Sequence, residues 1–124
     1  MRKNKTFYVI LGAILIVVLG GAWFLVKISS ENNNLPGKYD DFAKCLNNKG
    51  ILMYGAYWCP HCQNEKAAFG NSFKYVNYVE CTQETQRCEA AGIKGYPTWI
   101  FPDGKRLEGE QGLDKLSKES GCAL

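Results

Sequence analysis

Two cysteines separated by two residues form the pattern best suited to chemistry in this chain of 124 residues. Cys59 and Cys62 flank Pro60 and the single histidine, His61, and they directly follow Trp58. Two thiols one helical turn apart can approach closely enough to close a disulfide. The pattern therefore predicts a redox pair made of Cys59 and Cys62.

The pair is predicted to lie where a buried strand ends and a helix begins. Residues 51–56 form a nearly all-apolar run, typical of a central strand, and Pro60 suits the first turn of a helix that continues to Phe69. At a helix N-terminus, unpaired backbone N–H groups and the helix dipole favour a thiolate. We therefore expect Cys59 to be the attacking and leaving sulfur and Cys62 to be the resolving thiol.

Pro60 and His61 are expected to tune the redox potential of this pair. A histidine near the helix N-terminus can donate a hydrogen bond or a positive charge to the Cys59 thiolate, which stabilises the reduced form. Two simpler functions stay open. The pair can be half of a zinc site, although the next two cysteines are separated by six residues rather than two, or it can be an inert structural disulfide.

The rest of the outer sequence alternates between helical and extended patterns, which predicts an α/β domain. A strand, a helix and a second strand follow one another with short links, so the two strands should be parallel neighbours whose carboxyl ends share one edge. Pro102-Asp103-Gly104 between two extended runs indicates a hairpin. The expected fold is a central mixed β-sheet flanked by helices. Its predicted elements are helices near residues 40–49, 60–69, 84–91 and 113–116 and strands at 51–56, 75–80, 98–101 and 105–108.

These features together resemble the thioredoxin superfamily. That family has a Trp-Cys-x-x-Cys motif at a strand-to-helix junction, matched here by residues 58–62, and a cis proline about 35 residues later, matched by Tyr96-Pro97-Thr98. The resemblance implies a thioredoxin-like fold, a cis bond before Pro97, and docking of a substrate chain by Trp58, Tyr96 and Pro97. An ordinary turn proline before an edge strand is the alternative for Pro97.

Three segments, residues 53–62, 78–81 and 91–99, more narrowly resemble the thioredoxin-like domain associated with bacterial and plastid homologues of vitamin K epoxide reductase. That resemblance implies exchange of disulfides with cysteine-containing substrate proteins outside the cytoplasm. It also implies a quinone-linked membrane oxidase as the electron partner, here a separate protein. Pro-His is the dipeptide of strongly oxidising members, so we expect oxidation of substrates. Reduction or isomerisation, as in cytochrome maturation, and a docking module without catalysis are the alternatives.

The sequence departs from ordinary thioredoxins at one position. Those proteins keep a buried carboxylate six residues before the first cysteine, where this chain has Met53. A proton relay through a buried acid at that position is therefore not expected. Glu65, three residues after Cys62, can serve the site, but we expect it to be a solvated helix residue.

The other four cysteines can form two further pairs. Cys81 follows the second strand, and Cys88 lies seven residues later on the next predicted helix. These two form either a structural disulfide in an oxidising compartment or a second redox pair that relays electrons. Cys45 and Cys122 pair by elimination, although six cysteines allow many other connectivities.

An apolar stretch precedes the predicted domain. Residues 7–26 carry no charge, and 20 helical residues span roughly 30 Å, the thickness of the hydrocarbon core of a bilayer. A cleaved secretory signal is the alternative, but its apolar core would be only about 7–15 residues long. We therefore predict a membrane anchor at residues 7–28, a polar linker at 29–38 and the thioredoxin-like domain at 39–124.

Basic residues around the anchor predict its orientation. Arg2, Lys3 and Lys5 precede the apolar stretch, and only Lys27 follows it closely. Since cytoplasmic flanks carry the excess of positive charge, residues 1–6 are expected in the cytoplasm. The domain is then expected on the other side of the membrane, in a periplasm or a thylakoid lumen.

The charge balance gives no case for nucleic acid as a partner. The formal net charge is +3, but from Glu31 onward the chain has 11 basic and 12 acidic residues, a net charge of −1. The basic excess therefore belongs to the flanks of the anchor. The sequence implies no metal, nucleotide or flavin cofactor.

Overall fold

A computed structural model describes residues 3–31 and 35–124, which belong to two compact units that divide after Leu35. The first unit contains a long helix, α1 (Lys3–Glu31). Its stretch Asn4–Trp23 is long and apolar enough to cross a membrane, and the side chains of this stretch are exposed. Such a helix is the element that the sequence analysis predicts as an anchor.

α1 extends beyond the predicted end of the anchor. The sequence analysis places a linker from residue 29, whereas the helix continues to Glu31. No glycine or proline lies between Gly21 and Pro36, so no residue of a helix-breaking type interrupts this part of the chain. The predicted linker also includes residues 32–34, which lie outside the described residues.

The second unit, residues 36–124, alternates helices and strands as the sequence predicts. Its first helix begins with two aspartates, whose negative charges suit the positive end of the helix dipole. The elements are α2 (Asp40–Asn48), β1 (Leu52–Gly55), α3 (Pro60–Phe69), a 3₁₀ segment (Gly70–Tyr75), β2 (Asn77–Glu80), α4 (Thr85–Ala90), β3 (Thr98–Ile100), β4 (Arg106–Glu108) and α5 (Leu113–Ser120).

The strands form one mixed sheet in the order β2-β1-β3-β4. β1 is parallel to β2, with Met53 opposite Tyr78, and antiparallel to β3, with Met53 opposite Trp99. β3 and β4 form the predicted antiparallel hairpin. The α/β class, the mixed sheet and the parallel first pair are therefore confirmed. Because α3 is the crossover from β1 to β2, its N-terminus lies just beyond the carboxyl end of β1.

Two clusters of buried side chains join the sheet to the helices. Side chains alternate between the faces of a strand, so Met53 and Trp99 belong to one cluster and Tyr54 and Val79 to the other. The first cluster also contains side chains of α2, α3 and α5, and the second contains Cys88 of α4. Helices therefore cover both faces of the sheet, as predicted.

The segment that follows α3 differs from the prediction. Residues 70–75 form a 3₁₀ segment, and β2 begins two residues later than predicted, at Asn77. The ring of Phe73 lies 6.1 Å from the ring of Phe69 and 5.6 Å from that of Tyr78. These ring contacts hold the segment against the helix and the sheet, and the alternation of residue types does not reveal them.

Glu65 anchors α3 to the loop before α5, and the prediction that it is a solvated helix residue is wrong. The residue is 1% exposed, and its carboxylate accepts hydrogen bonds from the backbone N–H groups of Gln111 at 2.7 Å and Gly112 at 3.0 Å. Burial raises the pKa of Glu65, and these hydrogen bonds oppose the rise. The buried indole N–H of Trp99 also acts to lower the pKa of Glu65.

We expect the stability contributed by Glu65 to fall as the pH rises. Its pKa is higher in the folded chain, so the folded chain binds a proton more readily than the unfolded chain at pH values between the ordinary pKa of 4.5 and the raised one. The variant Glu65→Gln cannot titrate at this position. The free energy of unfolding of the wild type minus that of Glu65→Gln should therefore decrease from about pH 4 to about pH 7 in denaturant titrations.

Glu89→Gln is the matched control, because it removes the charge of an exposed glutamate on α4. The corresponding difference for this variant should change much less with pH. A difference for Glu65→Gln that stays constant or grows as the pH rises would show that the carboxyl is not held in an environment that opposes its charge.

Candidate active site

Cys59 lies at the junction between β1 and α3. It is the residue that caps the N-terminus of α3, with extended backbone angles, and Pro60 occupies the first helical position. The N–H of Cys59 donates to the carbonyl of Ala56 at 3.0 Å, which forms the turn after β1. The sulfur therefore sits at the end of α3 where the helix dipole is positive, as the sequence predicts.

Cys62 lies one turn into α3 and is completely buried, whereas Cys59 is 5% exposed. Burial raises the pKa of the Cys62 thiol to about 12, and the neighbouring Cys59 sulfur acts in the same direction. Both cysteines are free thiols in the structure. The two residues are thus unequal, because Cys59 retains slight exposure to solvent and Cys62 retains none.

Aromatic side chains form the rim around the Cys59 sulfur. Trp58 is 57% exposed, and its ring meets that of Tyr96 edge-on at 6.0 Å. The Cys59 Sγ lies 3.6 Å from the carbonyl oxygen of Tyr96, and the Tyr96–Pro97 bond is cis, as the resemblance implies. The structure therefore brings Trp58, Tyr96 and Pro97 to the reactive edge. Tyr57, which is also exposed there, was not singled out from the sequence.

His61 is exposed and contacts a carboxylate that the sequence analysis did not single out. Its Nδ1 lies 2.9 Å from Oε2 of Glu110, in the loop before α5. The side-chain amide of Asn64 donates to the same oxygen at 3.2 Å. The hydrogen bond from His61 lowers the pKa of Glu110. His61 therefore contacts this loop in the structure, whereas the sequence analysis expects it to act on the Cys59 thiolate.

A tyrosine and a glutamate of β2 lie behind the cysteines. The hydroxyl of Tyr78 donates to Oε2 of Glu80 at 2.7 Å, and Oε1 of Glu80 accepts from the N–H of Tyr57 at 3.2 Å and the hydroxyl of Thr82 at 2.8 Å. Burial and the bond to Glu80 raise the pKa of Tyr78. Burial alone would raise the pKa of Glu80, but the hydrogen bonds from Tyr78 and Thr82 outweigh it and lower that pKa.

The signal that could have found Glu80 was present in the sequence. Parallel neighbours end at the same edge of a sheet, so the last residue of β2 must lie near the turn that carries Cys59. The contact between His61 and Glu110 gave no such signal, because 49 residues separate the two in the chain.

The other four cysteines form two disulfides. Cys81 and Cys88 are joined across 7 residues, and both are 5% exposed. Cys45 of α2 is joined across 77 residues to Cys122, beyond α5. Closing so long a loop restricts the unfolded chain and is worth about 4 kcal/mol in the chain-entropy account. The cysteines with thiols left for exchange are thus Cys59 and Cys62.

This arrangement can carry out disulfide exchange and offers little to a metal. Cys59 retains slight exposure beside an aromatic rim, and Cys62 lies one helical turn behind it. A zinc site built on Cys59 and Cys62 would need further ligands, and the candidates Cys81 and Cys88 are bonded to each other.

Known proteins with similar sequences have names that describe thiol-disulfide chemistry. The chain is 44% identical over 111 residues to the thiol-disulfide oxidoreductase LTO1 of Arabidopsis thaliana, across 82% of this chain and 28% of that protein. It is 34% identical over 128 residues to a protein disulfide-isomerase of Humicola insolens, across 98% of this chain and 22% of that protein. The chain therefore spans only about a quarter of the length of these two relatives.

Among solved structures, the thioredoxin of Fasciola hepatica superposes with a TM-score of 0.46 at 25% identity, across 63% of this chain and 86% of that one. The sequence profile of the thioredoxin family matches residues 34–119. This match covers most of the chain and includes the cysteine pair, the cis proline and the whole sheet. The chain belongs to the thioredoxin family.

Proposed function

We propose that the chain is a membrane-anchored thiol-disulfide oxidoreductase that oxidises cysteine-containing substrate proteins. The observation that carries the proposal is the unequal pair at the start of α3, with Cys59 slightly exposed beside the aromatic rim and Cys62 fully buried one turn behind it. Thiol-disulfide exchange needs an accessible sulfur to form the mixed disulfide and a second sulfur within reach to resolve it. The relatives named thiol-disulfide oxidoreductase and protein disulfide-isomerase support the same reaction class.

In the oxidising direction, the reaction begins with the Cys59–Cys62 disulfide. A substrate thiolate attacks the Cys59 sulfur, the bond between the two cysteines breaks, and Cys62 leaves as a thiolate that takes up a proton. A second substrate thiolate then attacks the substrate sulfur of the mixed disulfide and releases Cys59 as a thiolate. The substrate loses two electrons to the cysteine pair.

Reoxidation of the pair requires an electron acceptor, for which we propose a quinone-linked membrane oxidase of the vitamin K epoxide reductase type. The support is the narrower sequence resemblance together with α1, which is long and apolar enough to place the domain beside such a partner. The oxidising direction is supported by Pro60 and His61 between the cysteines. A disulfide isomerase or reductase is the second candidate, favoured by the protein disulfide-isomerase relative.

The aromatic rim is the proposed docking site for the substrate chain. Trp58 offers an exposed ring, and the carbonyl of Tyr96 already accepts a contact from the Cys59 thiol at 3.6 Å. A peptide that reaches the Cys59 sulfur would contact the rings of Trp58 and Tyr96, and the buried Pro97 would act through the backbone beside them. Extended backbone at such an edge can pair with a substrate peptide.

The proposed location is outside the cytoplasm, in a periplasm or a thylakoid lumen, with residues 1–6 in the cytoplasm. The excess of basic residues before the apolar stretch supports this orientation. The two disulfides outside the cysteine pair support it as well, because stable disulfides form in oxidising compartments. We assign Cys81–Cys88 and Cys45–Cys122 a structural role, since both pairs are closed disulfides while Cys59 and Cys62 keep free thiols.

Changing Cys62 to Ser should trap substrates on the chain. Without the resolving thiol, the mixed disulfide on Cys59 persists, so complexes that reductant dissolves should accumulate and can be read by non-reducing electrophoresis and mass spectrometry. Cys59→Ser is the matched control and should form few such complexes. If Cys59→Ser keeps its partners and its cellular phenotype, the chain is a docking module rather than an oxidoreductase.

The equilibrium of the Cys59–Cys62 disulfide with glutathione tests the direction of electron flow. An oxidant of this kind should have a potential roughly 150 mV above that of a reducing thioredoxin, near the values of strongly oxidising members of the superfamily. The fraction of oxidised protein is measured over a series of glutathione redox buffers. A potential as low as that of thioredoxin would contradict the oxidising role and favour the reductase.

A further inference from the structure

Lys66 of α3 is held over the ring of Tyr78 on the inner side of the site. Its Nζ lies 3.7 Å from the centroid of the Tyr78 ring and 5.4 Å from that of the Phe73 ring. A cation over an aromatic face is attracted by the negative charge of that face. Lys66 is half-buried, so this contact keeps its ammonium group against the domain.

The ring that carries Lys66 also lies beside the buried sulfur of Cys62. Gly55 leaves a gap between them, because a Cβ on this residue would lie 2.9 Å from Sγ of Cys62 and 3.2 Å from the hydroxyl oxygen of Tyr78. The two atoms border the same gap and cannot be further apart than the sum of these distances. The ring of Tyr78 therefore contacts the ammonium group of Lys66 on its face and lies close to the buried sulfur of Cys62.

Cys62 needs such a charge, because its environment opposes ionisation. Burial raises the pKa of its thiol to about 12, and Cys59 acts in the same direction. The backbone N–H of Ala56 and the positive charge of Lys66 act the other way, and both favour the thiolate. Two ionisable groups lie near Cys62 at α3, namely Cys59 at the end of the helix and Lys66 within it. On β2, Tyr78 faces Cys62, and Glu80 accepts the hydrogen bond from the Tyr78 hydroxyl.

Glu80 is a poor candidate for a base that removes the proton of Cys62 through Tyr78. Its pKa is lowered below the ordinary value of 4.5, while the pKa of the thiol is about 12. A carboxylate that binds its own proton so weakly has little tendency to hold a proton taken from this thiol. Lys66 acts differently, because its charge lowers the free energy of the thiolate itself, whichever base takes the proton.

We propose that Lys66, seated on the Tyr78 ring, is the positioning residue that stabilises the Cys62 thiolate when this sulfur resolves a mixed disulfide. The inference rests on the proposed roles of Cys59 and Cys62. In the step concerned, the Cys62 thiol gives its proton to solvent and the thiolate attacks the Cys59 sulfur. The bond between Cys59 and the bound thiol breaks, the electron pair leaves with that thiol, and the Cys59–Cys62 disulfide forms.

The resolution step can be timed with dithiobis(nitrobenzoate). In the full-length chain, with the Cys59–Cys62 pair selectively reduced, Cys59 first attacks the reagent and releases one coloured nitrothiobenzoate ion. Cys62 then releases the second ion in a phase whose rate does not depend on the reagent concentration. Stopped-flow absorbance over a range of pH values gives this rate for each variant.

Lys66→Gln should slow the second release about 3- to 10-fold near neutral pH and move its pH profile to more alkaline values, because the thiolate loses a stabilising charge. Lys66→Arg keeps the charge and should restore most of the rate. Lys44→Gln is the matched control, since Lys44 also lies over a tyrosine ring, at 4.5 Å from the ring of Tyr75, on another helix. Its rate and pH profile should equal those of the wild type.

Three results would overturn the inference, and they are distinct from failure of the proposed function. A second release in Lys66→Gln as fast as in the wild type removes the role of Lys66, and so does a Lys66→Arg variant as slow as Lys66→Gln. A large slowing in Glu80→Gln without any in Lys66→Gln would establish the proton relay instead. If the wild type shows no second release at all, the proposed roles of Cys59 and Cys62 fail together with the inference.

Discussion

The site depends on one constraint, the placement of two sulfurs at different depths by a single turn of helix. β1 ends at one edge of the sheet, and Cys59 lies after the following turn, as the last residue before α3. Cys62, three residues further along, belongs to the core cluster and is fully buried, while Cys59 at the end of the helix retains 5% exposure. The different roles that we propose for the two thiols depend on this difference in depth.

The rest of the domain holds α3 in the position that this difference requires. On one side, the loop before α5 donates two backbone hydrogen bonds to Glu65, and its Glu110 accepts from His61. On the other side, Lys66 rests on the ring of Tyr78, which Gly55 allows to approach Cys62. α3 therefore carries a carboxyl group held by the loop on one flank and a cation held on an aromatic ring on the other, close to the cysteine pair.

Local patterns and the topology of the sheet predict the elements and the cysteine pair, but not the contacts that close the site. Cys59 could be placed because a short apolar strand, a proline and the spacing of the thiols all act within a few residues. Glu65 and Lys66 follow one another in a polar helix, and the sequence offers no reason to treat them differently from other solvated residues. Their roles come from Gln111 and Tyr78, which only the tertiary fold brings to α3.

Selective alkylation tests most directly whether the two sulfurs are unequal in the way described. The full-length chain with the Cys59–Cys62 pair reduced is given brief pulses of iodoacetamide, and peptide mapping by mass spectrometry measures the label on each cysteine. The account predicts that Cys59 is labelled first and that Cys62 is labelled only when the domain unfolds. Label that enters Cys62 first, or both residues at the same rate in the folded domain, would contradict it.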